Sequence, residues 1–552
     1  MRNIAVIDAE TDPFKKGRTE IKPFIWGYYN ADEYYEFDET SELVKFIYSR
    51  DEIIYAHNGG KFDFHFLLPY INEFQDIKII SGRIASVKIG ECELRDSFLI
   101  IPMALKGYQK DDIDYAIMEK GEREKPHNNK LIRNYLRSDC RYLFELVSGF
   151  INKYGLNLTV AGTAFKIWKK EFYKGKVPTT DKEYYDDFAP YYYGGRTQAF
   201  RTGLIEKPFK IVDINSAYPT AMLDKHPIGT SYTIYDDLDL YSVERILEEC
   251  RGRGGFFTLT AISNGALPLR TLDNSIYFPA DMEPRKYFVT GHELKAALDN
   301  DCITVMNIEK YLEFDLFTDF KSYILHHYDA RKDAKVIGDL LEDIFNKLMM
   351  NSLYGKFASN PDNYANFMNV PKDHIEIIGE ESVLGDFSDF EFNGFLGDWL
   401  LAKKDLTTQE KRYYNIATSA SITGWVRAFL FSSIKKCSGL IYCDTDSIAA
   451  EDTSQLEIGK ELGQWDIEGS MVSGAVAGKK LYAFKHADKE GYKTASKGTR
   501  LTPAEIIKVA KGEQVLYTAE APSFSVHKEP SLLKRTVTKT NKKVIPIEGK
   551  HD

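Results

Sequence analysis

The sequence predicts a multidomain protein of mixed α/β and α+β class. Three observations carry this reading. The chain has 552 residues, and at roughly 100–200 residues per domain about three to five units are expected. Near the start, the apolar run Asn3-Ile4-Ala5-Val6-Ile7 ends at Asp8-Ala9-Glu10-Thr11, and strand–turn–helix patterns follow it. Far downstream, Gly439–Ala450 climbs to Asp444-Thr445-Asp446 and leaves on a second apolar run, as two short antiparallel strands would.

That hairpin has a chemical consequence. In a strand, residues i and i+2 point to one side, so Asp444 and Asp446 present both carboxylates at the lip of a sheet. They repel unless a cation lies between them, and a hard divalent ion such as Mg²⁺ takes oxygen ligands. An Asp-rich turn is the competing reading of the hairpin alone.

Composition narrows the class. The net charge of −10 argues against a phosphate-binding surface everywhere, but a sum hides patches. The tail from Lys528 to Lys550 carries seven bases against Glu529 and Glu548. Tyr and Phe number 35 and 34; they fill cores, and they also stack on bases. Six cysteines without a C-x-x-C pair indicate neither a disulfide framework nor a zinc site. No apolar run approaches about eighteen residues, and the N-terminus lacks a signal peptide's apolar region, so a cytoplasmic location without a membrane partner is expected. No internal repeat points to a solenoid.

In chain order, Glu52–Ala56 reads as a strand, His57–Lys61 as a Gly-rich turn, and Phe62–Leu68 as an apolar helix start with Asp63 at its entrance. Lys130–Leu143 has helical spacing, with Tyr135 and Asp139 on one face at i, i+4. Four carboxylates and a phenol are an inventory for two metal ions and an oriented water at a phosphodiester. Next, Tyr191-Tyr192-Tyr193-Gly194-Gly195-Arg196 places aromatics before a glycine pair and a base, which suits backbone held close to a partner. Phe209–Asp213 is another strand ending in an acid, followed by Ile214-Asn215-Ser216-Ala217-Tyr218-Pro219. Lys347, Asn351 and Tyr354 share a helix face. Thr423 and Arg427 share a face of the helix that leads into the acid hairpin, and strand alternation turns Lys480 and Tyr482 one way.

These motifs, in this order, resemble family B DNA polymerases with a DnaQ-like (RNase H-like) 3′–5′ exonuclease domain. Asp8/Glu10, Asn58…Phe62-Asp63 and Tyr135-x-x-x-Asp139 resemble the three exonuclease motifs; the Asn58–Asp63 spacing is one residue longer than in some relatives. Asp213-x-x-Ser216-x-Tyr218-Pro219 resembles polymerase motif A, Lys347-x-x-x-Asn351-Ser352-x-Tyr354-Gly355 motif B, and Asp444-Thr445-Asp446 motif C. The long spacing from motif A to motif B resembles the protein-primed subgroup of phages and linear plasmids.

The resemblance implies a role for each residue. Asp8, Glu10, Asp63 and Asp139 hold metals at the exonuclease site, Tyr135 positions the water, and Lys110 assists. Thr11, Asn58, Phe62 and Ser97 contact the single-stranded primer end; Phe98 stands where the family usually has Leu. Asp213, the Ile214 carbonyl, Asp444 and Asp446 form the polymerase metal site, with Asp444 the direct bridge and Asp446 either a further ligand or the support of one. Each site takes two Mg²⁺, with Mn²⁺ as substitute. Tyr218, Lys335, Lys347, Asn351 and Tyr354 hold the deoxynucleoside triphosphate. Tyr192, Gly194, Gly195, Arg196, Thr423, Arg427, Lys480, Tyr482 and Lys497 contact template–primer DNA.

The implied architecture is an exonuclease domain (1–157), palm (158–224 and 416–497), fingers (323–358), thumb (498–552) and two insertions (225–322 and 359–415). The first insertion is expected to meet a terminal protein and the second to support processivity and strand displacement, in a monomer or a 1:1 complex with that protein. Ordinary extension of a 3′-OH primer is the alternative for priming. A repair exonuclease using only the first third, or a DNA-packaging protein without nucleotide turnover, are the rivals from other classes.

Overall fold

The computed structural model describes residues 2–13, 21–71, 73, 75–175, 179–239, 242, 245, 255–525 and 528–539, and the side chains among them except those of residue 237 and of residues from 518 onward. Two large sheets organise the chain, as the mixed α/β and α+β reading expects.

The first sheet begins with the strand Asn3–Thr11, parallel to Glu52–Ala56 and antiparallel to Pro23–Tyr29. Glu52–Ala56 is parallel to Cys92–Asp96. The central strands are buried on both faces, which is why they read as unbroken apolar runs. The helix Pro126–Tyr154 lies across the sheet, burying Tyr135, Leu136, Asp139, Cys140 and Leu143. Gly27 allows this approach. A Cβ there would sit 2.8 Å from Cys140 Sγ and 3.0 Å from Leu136 Cγ.

This sheet does not end with the N-terminal third. Its edge strand Asp76–Ile80 pairs with Ala365–Pro371, which continues into Trp399–Asp405 and Glu391–Leu396, for ten strands in all. The segment between motifs B and C is therefore β-structure welded to the first sheet. Buried Asn369 makes the weld. Its Oδ1 accepts from Gln75 N at 2.8 Å and its Nδ2 donates to Glu73 O at 2.9 Å. Trp399 Nε1 donates to Ile71 O at 3.0 Å.

The second sheet has eight strands and is antiparallel. Phe209–Ile214 lies between Ser447–Asp452 and Trp465–Gly478, and Ser438–Asp444 pairs with Ser447–Asp452. The helix Ile416–Lys435 packs behind it, with sixteen of its twenty residues buried. Two helices, Lys321–Ile337 and Leu340–Phe357, form a hairpin turned by Gly338 at φ +77°. A four-stranded sheet, Tyr232–Leu238, Ile303–Phe314, Gly255–Ser263 and Pro284–Thr290, fills the interval between motifs A and B. The strands Val515–Ser525 and Lys528–Lys539 pair near the C-terminus. Lys528, Lys534, Arg535 and Lys539 of the basic tail lie on the last strand, while Lys542, Lys543 and Lys550 fall outside the described residues.

Candidate active sites

Two separate acid clusters stand on the two sheets. In the first, Asp8 and Glu10 leave the strand Asn3–Thr11, Asp63 opens the helix Asp63–Leu67, and Asp139 projects from the helix Pro126–Tyr154. Burial and the nearby Asp139 charge push the Asp8 carboxyl up to about 7, against the pull of the Lys110 ammonium. Burial, then Asp8 and Asp139, raise Glu10; burial and Asp8 raise Asp63. Lys110 Nζ meets Asp139 Oδ2 at 2.7 Å and sits 5.0 Å from the centre of the Tyr135 ring. Tyr115, absent from the sequence reading, meets the Tyr135 hydroxyl at 3.1 Å. It lies only five residues beyond Lys110, which is the signal that could have found it.

Among the described residues, no three His, Cys, Asp or Glu side chains converge closely enough to hold a metal ion as they stand. The donors nonetheless fit a hard cation in kind. They are carboxylate oxygens, burial disfavours their charge, and Asp139 Oδ1 is buried without a hydrogen-bond partner.

The rim of this cluster carries Thr11, Asn58 and Phe62, all half-buried. Asn58 adopts φ +63° at the turn, and Phe62 packs edge-on to Phe66 at 5.3 Å. Ser97 corrects the expectation for a strand-end contact. It is fully buried, its Oγ donates to Ala56 O at 3.2 Å and meets His57 Nδ1 at 3.1 Å. Its hydroxyl is spent on fixing the strand Glu52–Ala56.

The second cluster forms at the acid hairpin. Asp213 stands opposite Ser447 in one neighbour and Asp466 in the other. The tip holds Thr445 at φ +59°, whose N–H donates to Arg196 O at 2.6 Å. Gly195 must be glycine for this passage, since a Cβ would lie 2.6 Å from Thr445 Cγ2. Burial, then Asp446 and Glu468, push Asp213 up to about 7; burial and Asp444 raise Asp446. Asp444 is held differently. Its Oδ1 accepts from Thr197 Oγ1 at 2.8 Å and its Oδ2 faces Lys480 Nζ at 2.9 Å. Glu468, which the sequence reading missed, enters because the strand Trp465–Gly478 shifts register between Ile211 and Val212.

Around this cluster, the Tyr218 and Tyr354 rings stack at 4.3 Å and 8°. Lys335, Lys347 and Asn351 are exposed on the helical hairpin, with Asn351 Nδ2 donating to Lys347 O. Tyr192 is half-buried and Gly194 exposed. Tyr482 stacks on Phe484 at 4.3 Å, and Lys497 is exposed with its N–H on Lys480 O.

Four further expectations are corrected here. Arg196 is buried under Phe278, 4.0 Å from the ring centre, and bonds Gln198, so it is not free to pair a phosphate. Thr423 is buried, its hydroxyl on Ala420 O at 3.2 Å. Arg427 is buried too, its Nε on Glu293 at 2.7 Å and its Nη1 on Gly194 O at 3.0 Å. Both belong to a helix enclosed on all sides, where i, i+4 spacing marks packing. Lys480 and Tyr482 both face Asp444 as expected, but not through strand alternation, because the strand starts at Leu481 and Lys480 is a turn residue at φ +53°.

The chain is similar to known proteins over most of its length. A family profile for DNA polymerase type B, organellar and viral, matches residues 105–438. The DNA-directed DNA polymerase of Enterobacteria phage PRD1 is 35% identical, across 97% of this chain and 98% of its own length. The DNA polymerase of Bacillus phage phi29 is 24% identical, across 84% of each. Among solved structures, Phi29 DNA polymerase complexed with primer-template DNA superposes with a TM-score of 0.73 at 18% identity, covering 98% of this chain and 100% of that one.

Proposed function

The chain belongs to the organellar and viral type B DNA polymerases, and we propose that it extends DNA at the Asp213/Asp444/Asp446 corner and edits 3′ ends at the Asp8/Glu10/Asp63/Asp139 cleft. The observation that carries this reading is the pair of carboxylate clusters on two different sheets, each with acids whose charge burial opposes and its own lysine. A repair exonuclease would need only the first cluster. In this reading residues 1–157 are the exonuclease domain, 158–224 and 416–497 the palm, 323–358 the fingers and 498–552 the thumb.

At the corner, Asp213, the Ile214 carbonyl, Asp444 and Asp446 would hold two Mg²⁺, as the four acids of the cleft would hold two more. Cations so held supply the positive charge that lowers the pKa of an attacking hydroxyl or water and neutralises phosphate. The residues do the rest. Lys335 and Lys347 offer point charges to a triphosphate, Tyr218 closes the space below the sugar so that a 2′-OH is refused, and Tyr354 packs on the nascent base pair. Lys480 steadies the Asp444 carboxylate. In the cleft, Lys110 orients Asp139, and Tyr135, braced by Tyr115, holds the attacking water.

Priming by a terminal protein is part of the proposal, supported by the two β-rich segments 225–322 and 359–415 and by the phage relatives. The second segment, which pairs with the edge of the exonuclease sheet, is the one we assign to strand displacement. Primer–template extension with Mg²⁺ and four deoxynucleotides tests the assignment. Asp444→Ala should abolish extension and spare degradation of single strands; Asp8→Ala with Glu10→Ala should do the reverse. Transfer of a labelled deoxynucleotide to a protein hydroxyl tests priming.

A further inference from the structure

The helical hairpin and the motif A turn are joined by a side-chain bridge that no motif contains. Glu461, on the connection after the acid hairpin, accepts from Tyr328 Oη at 3.0 Å through Oε2 and from Lys332 Nζ at 2.9 Å through Oε1. Tyr328 and Lys332 lie one turn apart on the helix Lys321–Ile337, and Lys335 follows on the same helix. A single carboxylate thus grips one helix by two donors.

The connection that carries Glu461 is closed by its own hydrogen bonds. Gln464 accepts from Glu461 N at 3.0 Å through its side chain and donates to Glu457 at 2.8 Å. Gly459 N donates to Trp465 O at 2.9 Å, and Trp465 N to Glu457 O at 2.9 Å. The same segment holds Asn215, the turn residue between Asp213 and Tyr218. Asn215 N donates to Gln464 O at 2.9 Å, Gly463 N donates to Asn215 O at 3.1 Å, and Asn215 Nδ2 donates to Gly459 O at 2.9 Å. Gly463, at φ +82°, lies so close that a Cβ would come 2.7 Å from Thr220 Cγ2. A continuous set of hydrogen bonds thus links the segment of Glu461 to the backbone beside Asp213.

We propose that Glu461 is a positioning residue, which couples the angle of the helical hairpin to the motif A turn and so sets the distance between Lys335 and the acid corner. The bridge coexists with the Tyr218–Tyr354 stack. It therefore holds the hairpin against the short helix Ala217–Ala221, which follows the motif A turn and carries Tyr218. Loss of the bridge lets the hairpin swing away, and the fraction ready for a triphosphate falls. This rests on the polymerase reading of the corner.

The test is a charge swap in the full-length protein. Glu461→Lys and Lys332→Glu are each expected to raise the KM for deoxynucleotides about three- to fivefold, the scale of an exposed ion pair, with kcat nearly unchanged. The double variant Lys332→Glu/Glu461→Lys should return KM to within about twofold of the starting protein. Degradation of single strands should stay constant in all three, which reports that each variant is folded. Singles that leave KM unmoved, or a double whose defect is the product of the singles, overturn the proposal. If the unmodified protein fails to extend a primer, the polymerase reading itself fails, and the swap is not what decides that.

Discussion

Lys480 Nζ lies 2.9 Å from Asp444 Oδ2, while Thr197 Oγ1 occupies the other oxygen of the same carboxylate. Asp444 is thereby oriented before any substrate arrives. Lys480 reaches it from a left-handed turn whose N–H bonds the Tyr442 hydroxyl at 2.8 Å. Lys480→Ala is expected to lower kcat/KM for extension about 10- to 100-fold, the cost of truncating one charge-assisted hydrogen bond. Lys480→Arg should recover part of it. Steady-state extension on a primed template checks both, with single-strand degradation as the unaffected control.

The raised carboxyls make a statement about pH. Folded Asp8 and Asp213 titrate at about 7, above the ordinary 3.8 of a free aspartate. Between those values the folded protein holds more protons than the unfolded chain, so their contribution to stability declines as pH rises from about 4 through 7. A divalent cation competes with those protons. The gain in Tm from 10 mM Mg²⁺ should therefore be larger at pH 8 than at pH 6, by about 3–5 °C. Calorimetry at both pH values, with and without chelator, checks this.

Removing one of these charges should separate stability from chemistry. Asp63 is buried, with its charge opposed by burial and by Asp8. Asp63→Asn is expected to raise the Tm of the chelator-treated protein by about 1–3 °C while degradation of single strands falls at least about 100-fold. Unchanged degradation would remove Asp63 from the editing site.

Much of this was legible in the sequence, and the failures share a cause. Acid pairs at strand ends are local signals: Asp8-x-Glu10 depends on strand alternation alone, and the hairpin Ser438–Asp444/Ser447–Asp452 follows the expected pairing, but Asp446 lies in the turn beyond Thr445 at φ +59°, so the turn and not strand alternation sets it beside Asp444. Tyr135 and Asp139 needed only helix periodicity. What periodicity cannot report is the environment on the far side of an element. Arg427 and Thr423 share a helix face, but that face meets Glu293 and the core. Glu468 needed a register shift, and the union of 365–405 with the first sheet needed a pairing across almost three hundred residues. Gly27 and Gly195 were necessary for close approaches that only the assembled sheets reveal.

Glu468 offers a finer test of the corner. Its carboxylate adds to the burial and the Asp446 charge that hold the Asp213 carboxyl up. Glu468→Gln removes one negative charge from that field, so Asp213 should ionise at lower pH. The acidic limb of the pH–kcat/KM profile for extension is expected to move down by about 0.5–1 unit. A limb that stays in place would assign it to another group.

The buried Arg427–Glu293 pair separates a brace from a DNA contact. Glu293 caps its own helix through Thr290, whose hydroxyl donates to Glu293 Oε2 at 2.9 Å, while Oε1 takes Arg427. Gly424 lets the two helices meet there, since a Cβ would lie 2.3 Å from Thr290 Oγ1. Arg427 then supports the Gly194 carbonyl at 3.0 Å, directly behind the glycine pair under the acid hairpin. Arg427→Ala leaves Glu293 buried and unpaired, which costs about 3–5 kcal/mol. Glu293→Ala should cost a similar amount, and the double variant much less than the sum. A phosphate contact would behave otherwise: stability would hold, and the salt dependence of DNA binding would lose about one unit of slope. Denaturant unfolding together with binding measured across a salt series distinguishes the two, and the burial of Arg427 predicts the loss of stability with the slope unchanged.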